Sequence, residues 1–204
     1  MHILLTRPLD DCRDLIVRFK SLGHKVSHLP VIKIQKLDHD KVNFYEFAGI
    51  IFTSANAIKN LDTLNINKKI NCFCVGSSTE KEAKQNGFQN IFCADGNVNN
   101  LKEVILQNFE PKSGNLLYVS GEIISSNLDK DLILEGYKVQ RIINYTVKPV
   151  EEVSELFIKN LKLSIPDMVY VYSENSAKNY LNFLKKYNLL DCWMDTNLMC
   201  LGEK

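Results

Sequence analysis

One short pattern occurs twice in this chain, far apart. Residues 50–61 read IIFTSANAIKNL, and residues 169–181 read VYVYSENSAKNYL. Laid over each other, Ser54 meets Ser173, Asn56 meets Asn175, Lys59 meets Lys178 and Asn60 meets Asn179. Each copy is an apolar run of strand length, then Ser-x-Asn, then an amphipathic segment. Cys74-Val75-Gly76 follows the first copy and Cys200-Leu201-Gly202 the second. Two similar strand–helix units in one chain predict two related α/β domains facing each other across a cleft.

The rest of the chain fits that scheme. Residues 3–6 read as a strand, and Arg7-Pro8 turns it into a helix. Pro8 suits a first helical turn, and Asp10 and Asp11 favour the positive helix end. Cys12, Leu15, Ile16, Phe19 and Leu22 make its apolar stripe, and Gly23 ends it. Strands are expected at 48–53, 71–75, 91–94, 115–119, 168–172 and 198–201. Helices are expected at 54–64, from Ser77 to Gly87, and at 99–109, 125–135, 151–161 and 173–187. Ser77-Ser78-Thr79-Glu80 reads as a capping box.

Apolar strands alternating with helices predict parallel sheets covered on both faces, hence three-layer domains. Two extended runs, at about 25–36 and 138–148, are unusually long and bracket the middle series. They predict a discontinuous first domain (1–35 plus 149–204), an inserted second domain (37–146), and a two-stranded β-ladder joining them. The alternative is a single open sheet. By comparison with the first copy, the first domain is expected to end short of a final helix and strand.

Composition excludes several classes. Of 204 residues, 45% are apolar and 24% charged, and the net charge is +1. No broad nucleic-acid surface is expected at that balance, so no nucleic-acid partner. The apolar stretches are strand-sized, so no membrane span is expected. The N-terminus MHILLTRP lacks the pattern of a secretion signal. The six cysteines fall largely inside strands and read as buried free thiols, which suits a reducing, cytoplasmic setting. His24 and His28 flank a turn and strand without companion ligands, so no metal site is expected.

In an open parallel sheet, ligands collect at the carboxyl ends of the strands. Those ends carry Thr6-Arg7, Thr53-Ser54, Gly76-Ser77-Ser78-Thr79, Ser120-Gly121, Ser173 and Gly202. Nearly all are hydroxyl or glycine residues near a helix start, where free N–H groups favour an anion. Together they describe a surface for several carboxylates or phosphates, gripped by main-chain donors. GxGxxG after the first strand, GxxxxGK[ST] and GxSxG are all missing. Nicotinamide redox chemistry, nucleotide hydrolysis and acyl transfer therefore lack their machinery. A reaction needing binding geometry and one weak acid fits better.

The ordered segments LLTRP, GIIFTSANAI, CFCVGSSTEKEAKQNGF, LLYVSG, INYTV, VYVYSENSA and CLGEK resemble the uroporphyrinogen-III synthase family over essentially the whole chain. The resemblance implies two α/β domains joined by a β-ladder with the active site in the cleft. It implies closure of linear hydroxymethylbilane to uroporphyrinogen III, with loss of water and inversion of the last pyrrole ring, in heme biosynthesis. It implies an enzyme without metal or organic cofactor; a monomer is expected.

Residue by residue, the resemblance makes Tyr145 the proton donor to the leaving hydroxyl, since a phenol of reference pKa ~10 stays protonated at neutral pH. The substrate-binding set is Arg7, Thr53, Ser54, Gly76, Ser78, Thr79, Ser120, Gly121 and Ser173. Arg7 has an alternative as the partner of Asp10 or Asp11. Two departures stand out. Glu174 follows Ser173 where relatives commonly have proline, and Glu203-Lys204 replaces a small residue. A threonine that the family places after its second glycine turn would fall beyond Lys204. The rival readings are a non-catalytic two-domain binder of a small polycarboxylate and a glycosyltransferase-like enzyme, for which nucleotide-sugar contacts are lacking.

Overall fold

The computed structural model describes residues 1–193 and 195–200. Strands and helices alternate along the chain, and the backbone clusters into two compact units, residues 1–34 with 148–204 and residues 35–147.

The first unit is built on a parallel four-stranded sheet. Its strands are β1 (His2–Leu5), β2 (Lys25–His28), β9 (Met168–Val171) and β10 (Asn197–Cys200), in the order β10-β9-β1-β2. Side chains on β1 alternate between the two faces, as a strand requires. Leu4 packs with Val169 and Val171 against Ile158 and Leu161 of α6 (Glu155–Leu163) and Tyr180, Phe183 and Leu184 of α7 (Glu174–Lys186). Ile3 and Leu5 face the other way, with Cys12, Leu15, Ile16 and Phe19 of α1 (Leu9–Ser21). Both faces are therefore covered, which is why β1 carries no polar alternation.

The second unit holds β4 (Phe47–Phe52), α2 (Ala55–Lys59), β5 (Asn71–Val75), α3 (Gly76–Gln85), β6 (Asn90–Ala94), α4 (Val98–Asn108), β7 (Asn115–Gly121) and α5 (Leu128–Leu134). The six-stranded sheet runs β3-β8-β7-β4-β5-β6, with β3 (Ile32–Lys36) and β8 (Val139–Pro149) carrying the chain across the division between units. Pairings from β8 through β6 are parallel. Leu37 N donates to Asn144 O and Val150 N to Val31 O, so β3 runs opposite to β8. Ile51, Phe73, Leu116 and Tyr118 pack on Leu101 and Ile105 of α4 and Leu128 and Leu132 of α5. Gly49 leaves room for its neighbours: a Cβ there would lie 2.6 Å from Leu116 Cδ2, so that buried side chain would have to shift.

Several local expectations change. The helix expected over 54–64 ends at Lys59. Asn60 Nδ2 turns back onto Asn56 O, and Leu64 N is taken by Asp62 Oδ1. Short polar side chains here offer the backbone alternatives to the helix ladder. The capping box does not form, because α3 starts two residues before the box would place it, with Val75 rather than Ser77 as its N-cap and no side-chain cap bond. Gly76 adopts φ of 77°, which lets the chain pass from β5 straight into the helix. β7 continues through Ser120-Gly121, expected to be loop. The helices expected from 125 and 151 start later, at Leu128 and at Glu155, the latter after the cap Ser154. The run expected over 25–36 is two strands, separated at Leu29–Val31.

Among the described residues no helix is long and apolar enough to cross a membrane. Cys12, Cys72 and Cys74 are buried free thiols, whereas Cys93 is half-buried and Cys200, on the edge strand β10, is exposed. Burial pushes the Cys72 thiol up to about 12.

Candidate active site

Four of the expected residues converge in the second unit. Thr53 and Ser54 follow β4, Gly121 closes β7, and Tyr145 lies opposite Gly121 on β8. Together with Val98, Tyr118, Ile123, Ile124 and Ser125 they line a cavity of about 340 Å³.

A slip in strand register makes this geometry. Ser120 pairs with Ile143, but the next residue, Gly121, pairs with Tyr145. Asn144 is the extra residue of this bulge, a device that re-aims side chains at sheet ends. Asn144 is fully buried, and its Nδ2 donates to Ala57 O of α2 at 2.7 Å. Glu122 N donates to Tyr145 O at 2.9 Å, and Thr146 Oγ1 donates to Glu122 Oε2 at 2.6 Å. Tyr145 is thus held from both sides. Its ring occupies the space that a side chain on Gly121 would need: a Cβ there would lie 2.7 Å from Tyr145 Cζ and 2.9 Å from its hydroxyl.

Two site residues are not among those read from the sequence. Tyr118, only 1% exposed, shares a hydrogen bond with Thr53 Oγ1 at 3.2 Å. Burial chiefly raises its pKa, while the Thr53 bond and the charge of Arg141 pull it back. Arg141 is the register partner of Tyr118, with its guanidinium carbon 5.9 Å from the ring centroid. Arg141 Nε donates to Ser120 Oγ at 2.8 Å and its Nη2 to Gly121 O at 2.9 Å. Neither carries a signal of its own in the sequence: each reads as an ordinary strand residue, and the pairing of β7 with β8 brings them together.

The other expected residues are placed differently. Ser120 is buried and its hydroxyl is committed, accepting from Arg141 and donating to Gly121 O. It is part of the strand end rather than of a ligand-facing loop. Gly76, Ser78 and Thr79 open α3 beside β5 and do not line the cavity; Ser78 is exposed and Thr79 buried. Ser54 caps α2, accepting from Asn56 N.

Arg7 and Ser173 belong to the first unit. The Arg7 guanidinium lies 4.4 Å from the ring centroid of Tyr172, and Asp10 pairs with Arg13 at 3.0 Å. Burial pushes the Tyr172 phenol up to about 12. Thr6 is buried and donates to Tyr170 O, so its hydroxyl is occupied. Ser173 caps α7, accepting from Ser176 N at 3.2 Å. Gly202, Glu203 and Lys204 lie outside the described residues. His28 Nε2 is bonded to Arg7 O. Among the described residues no group of three His, Cys, Asp or Glu side chains could hold a metal.

Against known proteins, residues 13–204 match the family model described as uroporphyrinogen-III synthase HemD. Among solved structures, uroporphyrinogen-III synthetase from Helicobacter pylori is 19% identical, with a TM-score of 0.60 over 89% of this chain and 78% of that one. A mutant uroporphyrinogen III synthase from Thermus thermophilus is 15% identical, with a TM-score of 0.51 over 98% of this chain and 84% of that one. No curated protein matches in sequence. At these identities the solved structures speak for the α/β fold with parallel sheets, and the match over residues 13–204 for the family. The chain belongs to the uroporphyrinogen-III synthase family.

Proposed function

We propose that this protein closes linear hydroxymethylbilane to uroporphyrinogen III with loss of water and inversion of the last pyrrole ring, the reaction of its family. The observation that carries the reading at the residue level is the cavity in which Tyr145 packs against Gly121 beside the Thr53 and Ser54 hydroxyls.

The chemistry needs little more. The hydroxymethyl carbon of the first ring loses its oxygen as water, which requires a proton at the departing hydroxyl. The Tyr145 phenol supplies it, acting as a general acid. The cation left behind is attacked by the substituted carbon of the last ring, giving a spiro intermediate. Its cleavage and rejoining invert that ring, and a proton is lost as the macrocycle regains its pyrroles. Unassisted closure gives the uninverted isomer, so the protein's contribution is chiefly to hold the chain in the conformation that favours attack at the inverting carbon.

The finer assignments belong to the same reading. Residues 1–34 with 148–204 and residues 35–147 act as two domains, with β3 and β8 as the ladder of the family. Each domain supplies carboxylate-binding loops: Thr53, Ser54, Gly76, Ser78, Thr79 and Gly121 in one, Arg7 and Ser173 in the other. Ser120 acts through Arg141 rather than on the substrate. The enzyme works as a cytoplasmic monomer and, on the support of the family resemblance, without metal or organic cofactor.

The test is to mix the protein with freshly generated hydroxymethylbilane, oxidise the products and separate the isomers. Excess isomer III is expected, and the uninverted isomer alone would leave a non-catalytic polycarboxylate binder as the reading. Tyr145→Phe slows formation of isomer III by about 100-fold, the low end of what a positioned proton donor contributes. Unchanged turnover removes Tyr145 from the mechanism.

A further inference from the structure

We propose that Tyr118 is a second substrate-contacting phenol, its hydroxyl and that of Thr53 together gripping one carboxylate of a single pyrrole end lodged in the β4–β7 cavity. This deepens the synthase reading and rests on it for the identity of the guest.

The size of the cavity sets the first constraint. About 340 Å³ lies at the small end of ligand pockets. It has room for one pyrrole ring with its acid arms, not for a linear tetrapyrrole. The walls divide accordingly. Val98, Ile123 and Ile124 offer apolar surface to a ring face, and the hydroxyls of Thr53, Ser54, Tyr118 and Tyr145 are the side-chain polar groups of the other walls, with Ser125 on the segment beside the isoleucines.

Proton counting singles out the Tyr118–Thr53 pair. Each hydroxyl carries one proton, and their mutual bond uses one of the two. The second is left for another acceptor. Neither hydroxyl makes a further hydrogen bond among the described residues. The bond itself is long for two hydroxyls, at 3.2 Å. A carboxylate has two oxygens and accepts from both donors once that bond opens. Charge-assisted bonds of this kind are roughly twice as strong as neutral ones.

A fixed cation stands beside the pair: the Arg141 guanidinium lies 5.9 Å from the Tyr118 ring centroid and favours an anion there, with Asp129 opposing it. Burial keeps the phenol protonated, so it remains a donor across the working pH range.

Tyr118→Phe removes one oxygen and leaves the ring packed against α4 and α5. The expected result is a rise in KM for hydroxymethylbilane of about tenfold or more, with kcat within about twofold, because a carboxylate grip acts equally in ground and transition states; the thermal midpoint falls by only a few degrees, roughly the loss of one buried hydrogen bond to Thr53. Thr53→Val moves KM in the same direction, and Thr53→Ser restores it. An unchanged KM in Tyr118→Phe, or a fall in kcat at constant KM, overturns the proposal.

A second measurement stands apart from turnover. Wild type and Tyr118→Phe are titrated with a monopyrrole bearing one acetate and one propionate arm, and with its dimethyl ester. The acid should bind wild type more tightly than the ester does, and Tyr118→Phe should erase the difference. Equal binding of acid and ester overturns the grip. If wild type forms no isomer III yet discriminates acid from ester through Tyr118, the synthase reading fails and the grip stands.

Discussion

At the scale of single residues, Gly121 and Tyr145 compete for one volume. Gly121→Ala would set its Cβ 2.7 Å from the Tyr145 ring, well inside contact distance. The ring, not the sheet, has the freedom to move, so the variant should fold with a loss of about 1–3 kcal/mol, as for overpacking elsewhere. The Tyr145 hydroxyl is displaced, and misplacement on the order of 1 Å is enough to cost up to about 100-fold in rate. Isomer assays and thermal melts on Gly121→Ala, Tyr145→Phe and the double variant check this. The double variant should lose little beyond either single one, because both disable the same group. Additive losses would mean that Gly121 acts elsewhere. This pair is half legible in the sequence: Tyr145 stands out by resemblance and Gly121 by loop chemistry. Neither reading brings them together. The bulge at Asn144 does: it breaks the alternation of β8 so that Asn144, Tyr145 and Thr146 are all buried, and nothing in those residue types marks the break in the sequence. Tyr118 and Arg141 escape a sequence reading for a related reason. Each looks like an ordinary strand residue until the register sets them opposite one another.

Individual elements show where local chemistry decides and where it is overruled. Ser173 and Ser77 both precede helical residues and both look like N-caps in the sequence. Only Ser173 functions as one, accepting from Ser176 N at the start of a 13-residue helix. Ser77 lies inside α3, with Val75 as the cap. Ser173→Ala should therefore cost about 1 kcal/mol of unfolding free energy, and Ser77→Ala less than about 0.5 kcal/mol. Urea denaturation of the two variants separates them, and equal losses would contradict the assignment. The glycine before Ser77 explains the difference. Gly76 takes a left-handed conformation and starts the helix early, so the N-cap falls at Val75, two positions before Ser77, and the Ser-x-x-Glu spacing is out of phase. In the same way α2 stops at Lys59 because Asn60 and Asp62 redirect the backbone. Most strands are readable, since apolar runs bounded by polar turns signal both ends. Helix lengths are not, because amphipathic spacing continues past the residue at which a side chain captures the main chain.

On the scale of the whole molecule, parallel sheets follow from strand–helix alternation, but strand order does not. β1 sits between β2 and β9, and pairing Leu4 with Val169 joins the start of the chain to its last quarter. No local pattern encodes that. His2 is where this closure is fastened. Its backbone N donates to Asp167 Oδ2 at 2.5 Å, its Nε2 meets Ser27 Oγ at 2.8 Å, and its Nδ1 meets Ile165 O at 3.1 Å. Its ring thus bonds β2 and the segment leading into β9. Burial lowers its pKa below 6.5, with Lys25 and the N-terminal amine adding and the Ile165 carbonyl and Asp167 opposing. The unfolded chain therefore takes up a proton near pH 6.5, while the folded one waits for a lower pH. Between those values the unfolded state binds more protons, so stability falls as pH drops through about 6.5 toward the folded pKa, and this contribution is fully present above it. His2→Gln removes the titration. Melts at pH 5 to 8 should show the wild-type midpoint falling more steeply than the variant's below about pH 6.5, and the two curves running parallel above about pH 7.5. Curves parallel over the whole range would mean that His2 carries the same charge in both states, and that the sheet closes without depending on a neutral imidazole.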